Sequence, residues 1–272
     1  MKKAILGPVV ALATLSLLAG CQVTKSPTGR TQALMYSSSD MNKLGAQSFA
    51  EMKKSQKLVK NPKTIKYVNC VAKAITDKVP ASYGQSQWEV VVFDSEQINA
   101  FALPGGHIGV YTGLLKVAST PEQLAAVLGH EVGHVLANHS NERLSRSQLT
   151  NVGLSMANAA FDVGEVANKE LWMQGLGLGA QYGIAMPFGR HQESESDNIG
   201  LDLMAQAGFQ PQASVSLWQA MGKASGGKKP MEFLSTHPSN ERRINDLNAG
   251  MSKATATYNQ ARAAGNRPYC GY

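Results

Sequence analysis

The sequence predicts a mainly helical α+β domain with one small sheet. Three observations predict it. Apolar residues recur at helical spacing over long stretches, as in Ile65, Val68, Val71, Ala72, Ile75 and Val79. Three short runs between Trp88 and Tyr111 are β-branched or aromatic instead, and Pro104-Gly105-Gly106 turns one of them into the next. Directly after them, Ala126 to Leu136 carries His130, Glu131 and His134 as His-Glu-x-x-His within an apolar helical pattern.

The first residues read as an address. Lys2 and Lys3 form a basic start, Ala4 to Leu18 is apolar but too short for a confident membrane span, and the run ends in Leu18-Ala19-Gly20-Cys21. This resembles a bacterial lipoprotein signal over 1–20, cut before Cys21, which then carries lipid. Gln22, rather than Asp, resembles lipoproteins sorted to the outer membrane, on its periplasmic side. Several acyl chains on one residue anchor a protein without a spanning helix. The net charge of +7 is mildly basic and suits a position near an anionic membrane. Basic and aromatic residues do not interleave as in nucleic-acid binders, so no nucleic acid is expected as a partner. With Cys21 lipidated, Cys70 and Cys270 remain. In an oxidising compartment they can pair, and the sequence leaves pairing and free thiols both open.

Residues 21–38 are rich in Ser, Thr, Gly and Pro and read as the lipidated cysteine and its tether. A domain over 39–250 and a C-terminal tail over 251–272 follow. Ser39 to about Leu58 reads as a first helix. Asn61 caps a second, with Pro62 in its first turn and the Ile65 to Val79 stripe as core. Trp88 to Phe93, Ile98 to Leu103 and His107 to Tyr111 read as strands. An edge of that sheet suits an extended peptide. His107 reads as a solvent-facing strand residue rather than a ligand.

The next helix starts at a capping box, with Thr120 as cap, Pro121 at the first position and Gln123 three after the cap. His130 and His134 are four apart, so both imidazoles leave one face and suit one zinc ion. Glu131 is placed to act as general base on a water at that ion. Gly129 and Gly133 weaken the helix by about 1 kcal/mol each, yet they let another element approach closely. His139, five residues after His134, falls about 140° round a continued helix and would face away.

Residues 144–189 are hard to read. Leu171 to Gly189 has no charged residue, but its glycines, glutamines and Pro187 argue against a span. Helices that cover the site as a lid, or dip into the membrane interface, fit better. Beyond them, Glu193 and Asp197 are four apart on one helical face, whereas Glu195 points elsewhere. One carboxylate there suits the metal, and the other suits the outer nitrogen of a ligand histidine. Gly208 and Pro211 end that helix.

At this point the chain resembles the M48 metallopeptidases, the Ste24, HtpX and Oma1 group. The likeness rests on His130-Glu131-Val132-Gly133-His134 and Glu193-Ser194-Glu195-Ser196-Asp197. Asn99-Ala100-Phe101-Ala102 with Pro104-Gly105-Gly106 is similar to the family's strand before the metal helix, and Ser235-Thr236-His237-Pro238 with Glu241-Arg242 to its late Thr-His-Pro motif. The likeness runs from about Ser39 to Leu247. It implies a zincin fold of the gluzincin type, with the small sheet beside the metal helix. It implies one Zn2+ per chain on His130, His134 and Glu193, with Glu131 as base. Asp197 would hold a ligand, and Arg242 would pair with Asp197. His237 would act as transition-state donor or extra ligand, and Asn99 and Ala100 would contact substrate. Ser196 stands where the family usually has Ala.

The expected function is a zinc metalloendopeptidase, lipid-anchored to the outer membrane, that degrades unfolded or misassembled envelope proteins. The alternative is a chaperone or assembly factor for outer-membrane proteins, working with the assembly machinery. In it His237 would take the fourth zinc position and keep the site latent.

Overall fold

A computed structural model describes residues 22–85, 87–160, 188–224, 232–237 and 241–271. The expected signal, Cys21 and the central part of 144–189 lie outside the described residues.

The stretch read as a tether is instead a hairpin, β1 (Gln22–Lys25) antiparallel to β2 (Thr31–Leu34). The Ser and Thr residues that suggest flexibility make hydrogen bonds here, and Arg30 ties the turn to the body through Glu142, at 2.6 Å, and Glu195, at 2.8 Å. Buried Gln32 donates to the Ala137 carbonyl at 2.6 Å. Composition describes a tether poorly when one buried ion-pair cluster fixes it.

Ser37 caps α1 (Ser38–Ser55) and Asn61 caps α2 (Pro62–Thr76), each side chain accepting from an N–H of the first turn. Val68, Val71, Ala72 and Ile75 of α2 are buried, whereas Ile65, in the first turn, is 36% exposed and falls outside the core stripe. Strands β3 (Glu89–Phe93), β4 (Ala100–Leu103) and β5 (His107–Tyr111) form a sheet of order β3-β5-β4. β3 runs parallel to β5, and β4 antiparallel to it. The β4–β5 turn uses Gly105 and Gly106 at φ +87° and +82°, the left-handed region that glycine favours. A second cluster of Phe49, Phe93, Phe101 and Tyr111 packs between α1 and the sheet.

A single turn, α3 (Thr112–Leu115), leads to α4 (Pro121–Leu136). Thr120 Oγ1 accepts from Gln123 N–H at 3.2 Å, while the Gln123 side chain accepts from Ser119 N–H rather than from the cap itself. Leu124, Val127, Leu128 and Val132 pack with α2 and the sheet in the main core. Helix α5 (His139–Ala160) follows, then α6 (Arg190–Ala207), α7 (Gln212–Ala224), α8 (Glu232–Thr236) and α9 (Glu241–Ala263). Gly208 at φ +86° ends α6 as expected. The expected tail is mostly helix: α9 runs past 250 because Ala254 and Ala261 bury against the body. Cys270 is bonded to Cys70 of α2, with Cα atoms 5.6 Å apart. Among the described residues no helix is long and apolar enough to cross a membrane.

What positions the site is the crossing of α4 and α6. A Cβ added to Gly129 would lie 2.8 Å from the Gly200 carbonyl oxygen, and one added to Gly133 would lie 2.8 Å from Ser196 Oγ. The helices touch backbone to backbone there, and the Ser196 hydroxyl donates to the His130 carbonyl. A small residue is needed at 196, and serine supplies both the size and a hydrogen bond.

Candidate metal centre

His130 and His134 leave α4 on the face that meets α6, as their spacing requires. Glu193 lies one turn before the close contact at Ser196 and Gly200, which brings its carboxylate between the two imidazoles. His237 follows α8 and completes the group. One ligand atom from each of His130, His134, Glu193 and His237 lies within 4.8 Å of every other, and all four residues are buried.

The distances suit zinc. Four ligands at about 2.0–2.1 Å from a tetrahedral ion stand roughly 3.3 Å from one another. Here His130 Nε2 is 3.0 Å from His134 Nε2 and 3.1 Å from His237 Nδ1. Glu193 Oε1 is 3.4 Å from His134 Nε2 and 3.0 Å from His237 Nδ1. The protonation pattern also suits it. Asp197 Oδ1 is 2.9 Å from His130 Nδ1 and, as a carboxylate, accepts the proton there. That leaves the neutral His130 with a bare Nε2 aimed at the cluster. A bare nitrogen at that range from another imidazole and a carboxylate suits a cation held between them.

Arg243 fixes the carboxylates. It lies 2.7 Å from both Asp197 oxygens and 2.5 Å from Glu193 Oε2, and stacks on Trp218 at 3.7 Å. The family resemblance implies that Arg242 pairs with Asp197, and the structure corrects it: Arg242 is largely exposed and faces Asp246. Adjacent residues differ by about 100° around a helix, so the wrong phase at the start of α9 selects the wrong arginine. Burial opposes ionisation of Asp197, but the Arg243 charge and the His130 bond outweigh it and hold the carboxyl below its usual range. Glu193 is likewise held well below that range: burial opposes, and His237, His134 and His130 prevail. Burial pushes the His134 imidazole well below its ordinary value.

Glu131 is buried beside the group. Burial raises its pKa, against His237, His130 and a hydrogen bond from the Ala102 backbone. Among the described residues its Oε1 accepts no hydrogen bond, with His237 Nε2 3.3 Å away. A small cleft opens here between β4 and Phe188, lined by Asn99, Ala100, Ala102, Glu131, Thr236 and His237. Asn99 takes a hydrogen bond from Tyr111 N–H at 3.1 Å. The alternation of antiparallel pairing then turns the polar backbone of Ala100 and Ala102 away from β5, to the sheet's edge.

Other predicted residues fall elsewhere. Among the described residues His107 joins no metal-ligand group; it stacks on Phe49 with centroids 5.0 Å apart. His139 does not face away. α4 stops at Leu136, and Asn138 at φ +53° breaks the helical phase, so buried His139 turns back and puts Nδ1 2.7 Å from His134 Nδ1. Sequence reasoning also misses Phe188, whose ring stacks on His134 at 3.7 Å, and Arg143, whose guanidinium covers Phe188 at 3.6 Å. Burial lowers the Arg143 pKa to about 10. Nothing local in the sequence marks either residue.

A sequence model described as peptidase family M48 matches residues 62–250. The mitochondrial metalloendopeptidase OMA1 of Schizosaccharomyces pombe is 35% identical over 196 residues, covering 71% of this chain and 55% of its own. The beta-barrel assembly-enhancing protease of Yersinia pestis is 30% identical over 72% of this chain and 40% of its own. The metalloprotease LoiP of Escherichia coli is 27% identical over 90% of this chain and 96% of its own. The chain spans about half the length of the yeast OMA1 proteins it matches.

Proposed function

This chain belongs to peptidase family M48, and from that premise we propose that it is a zinc metalloendopeptidase. The observation that carries the proposal is Glu131: a buried carboxylate, one oxygen of which takes no hydrogen bond among the described residues, beside a His-His-Glu-His group and lining the cleft along Ala100 and Ala102.

Zinc bound here would supply a Lewis acid for the scissile carbonyl and a water of pKa about 7. His130, His134 and Glu193 would hold it, with Asp197 and Arg243 keeping His130 and Glu193 aimed. A peptide lies along the edge of β4, its backbone paired with Ala100 and its side chains near Asn99. Glu131 takes a proton from the attacking water as the water oxygen bonds to the carbonyl carbon. It delivers that proton to the amide nitrogen as the C–N bond breaks. His237 Nε2, on the Glu131 side, donates to the developing oxyanion. Glu131→Gln keeps the ligands and removes the base. The expected result is one zinc per chain and a loss of about 10²–10⁴-fold in cleavage of an unfolded protein. Cleavage at the wild-type rate overturns the proposal.

A second reading has one specific support: His237 Nδ1 sits among the ligand atoms, as the fourth zinc ligand of a latent site would. Under it the chain is a chaperone or assembly factor for outer-membrane proteins, and Glu131→Gln leaves assembly intact where deletion does not.

The substrates we infer are unfolded or misassembled envelope proteins, and the place is the periplasmic face of the outer membrane. Support for the place comes from Leu18-Ala19-Gly20-Cys21 and Gln22. Support for a link to assembly comes from the name of the Yersinia pestis relative. Labelled fatty acid should enter the wild type and not Cys21→Ala; equal labelling refutes the anchor.

A further inference from the structure

His134 and His130 have different outer partners. His130 Nδ1 meets the Asp197 carboxylate, but His134 Nδ1 meets another imidazole, His139, whose own Nε2 is 3.1 Å from Glu195 Oε2. His139 is fully buried, and among the described residues it lies outside the His130, His134, Glu193 and His237 group.

The proton positions along this row are fixed from its far end. Arg30 Nε donates to Glu195 Oε2 at 2.8 Å and Thr28 Oγ1 to Glu195 Oε1 at 2.5 Å, so Glu195 stands as a carboxylate and only accepts. His139 therefore carries its proton on Nε2 and presents a bare Nδ1. At 2.7 Å that bare nitrogen accepts from His134 Nδ1–H. His134 is left with a bare Nε2, aimed at the cluster. A free neutral histidine has no such commitment.

We propose that His139, Glu195 and Arg30 are positioning residues that set the metal-competent tautomer and orientation of His134. The hairpin after Cys21 thereby belongs to the metal site rather than to a tether. Its two strands are held where Arg30 reaches both Glu195 and Glu142, with Glu142 Oε2 also taking a bond from Gln192, the neighbour of Glu193. The proposal rests on the zinc reading above and concerns what keeps one ligand ready, not the hydrolysis.

The test is zinc affinity of the full chain by chelator competition, with thermal unfolding of the zinc-free form measured in parallel. His139→Phe fills the volume without accepting a proton. It is expected to weaken zinc by about 10–100-fold, the usual cost of losing a partner behind a ligand. His139→Gln, with an oxygen toward His134 and an N–H toward Glu195, is expected to restore most of the affinity. Glu195→Gln and Arg30→Ala leave the imidazole pair in place and are expected to give smaller losses; they keep the test decisive if His139→Phe does not fold. In the zinc-free wild type, nitrogen NMR should show the His134 proton on Nδ1. Wild-type affinity in His139→Phe, or in both Glu195→Gln and Arg30→Ala, overturns the proposal, as does a loss that only follows unfolding of the zinc-free form. A wild type that binds no stoichiometric zinc defeats the metal reading itself, a separate outcome.

Discussion

Gly129 and Gly200 meet where α4 crosses α6, and a Cβ on Gly200 would lie 2.6 Å from the His130 backbone nitrogen. The obstacle is backbone, which has no alternative rotamer. Gly200→Ala must therefore push the helices apart. Overpacking of this kind costs about 1–3 kcal/mol, seen as a melting temperature lower by several degrees. Because Glu193 reaches His130 and His134 across the same crossing, zinc affinity should fall as well. Gly271→Ala, where no described residue outside its chain neighbours lies within 4 Å of the added carbon, should not lower the melting temperature, and serves as the control.

Arg243→Ala should be far more damaging than Arg242→Ala. Arg243 is 2% exposed and holds two buried carboxylates, Asp197 and Glu193. Removing one partner of a buried pair costs about 3–5 kcal/mol, because the remaining charge is left in a poor solvent. Arg242 faces Asp246 across an exposed helix surface, and its removal should change stability by no more than about 0.5 kcal/mol. Urea unfolding of the two variants checks the ranking, and equal effects would reject it.

This contrast shows where the sequence is informative. His130 and His134 are legible because helical periodicity alone places them on one face, and Glu131 because it follows the first of them in His-Glu-x-x-His. Glu193 and Asp197 are legible for the same reason as the histidines, on α6. The strands and the Gly105-Gly106 turn follow from local chemistry. The phase of α9 is not legible, since one residue's shift at its start swaps Arg242 for Arg243. Nor is the turn at Asn138, a single left-handed residue that redirects His139. The hairpin at 22–34 is hidden for another reason: its order comes from Arg30 meeting Glu142 and Glu195, more than a hundred residues away in the chain.

That hairpin carries a pH dependence. Burial alone raises the Glu142 pKa, but hydrogen bonds from Arg30, Gln192 and Gln32 outweigh it and bring the carboxyl down to about 2. The folded value lies below the unfolded one, so Glu142 contributes stability that is complete above about pH 4.5 and lost as the pH falls toward 2. Glu142→Gln cannot titrate. The expected result is a shallower fall of unfolding free energy between pH 4.5 and 2 in the variant than in the wild type. Parallel curves would show that the Arg30 contact does not depend on this charge.

The disulfide makes a different prediction. Cys70 and Cys270 are 200 residues apart, and the loop they close contains all four members of the metal group. In the chain-entropy account, a bridge over so long a loop restrains the unfolded chain and is worth up to about 5 kcal/mol. That effect acts on the unfolded state. The folded geometry at His130, His134 and Glu193 is set by the α4–α6 crossing, which the bridge does not touch. The double substitution Cys70→Ser with Cys270→Ser should therefore lower the unfolding free energy by about 2–5 kcal/mol while leaving zinc affinity of the folded protein unchanged. Affinity that falls together with stability would mean that the bridge shapes the folded site, through α2 and its packing on α4.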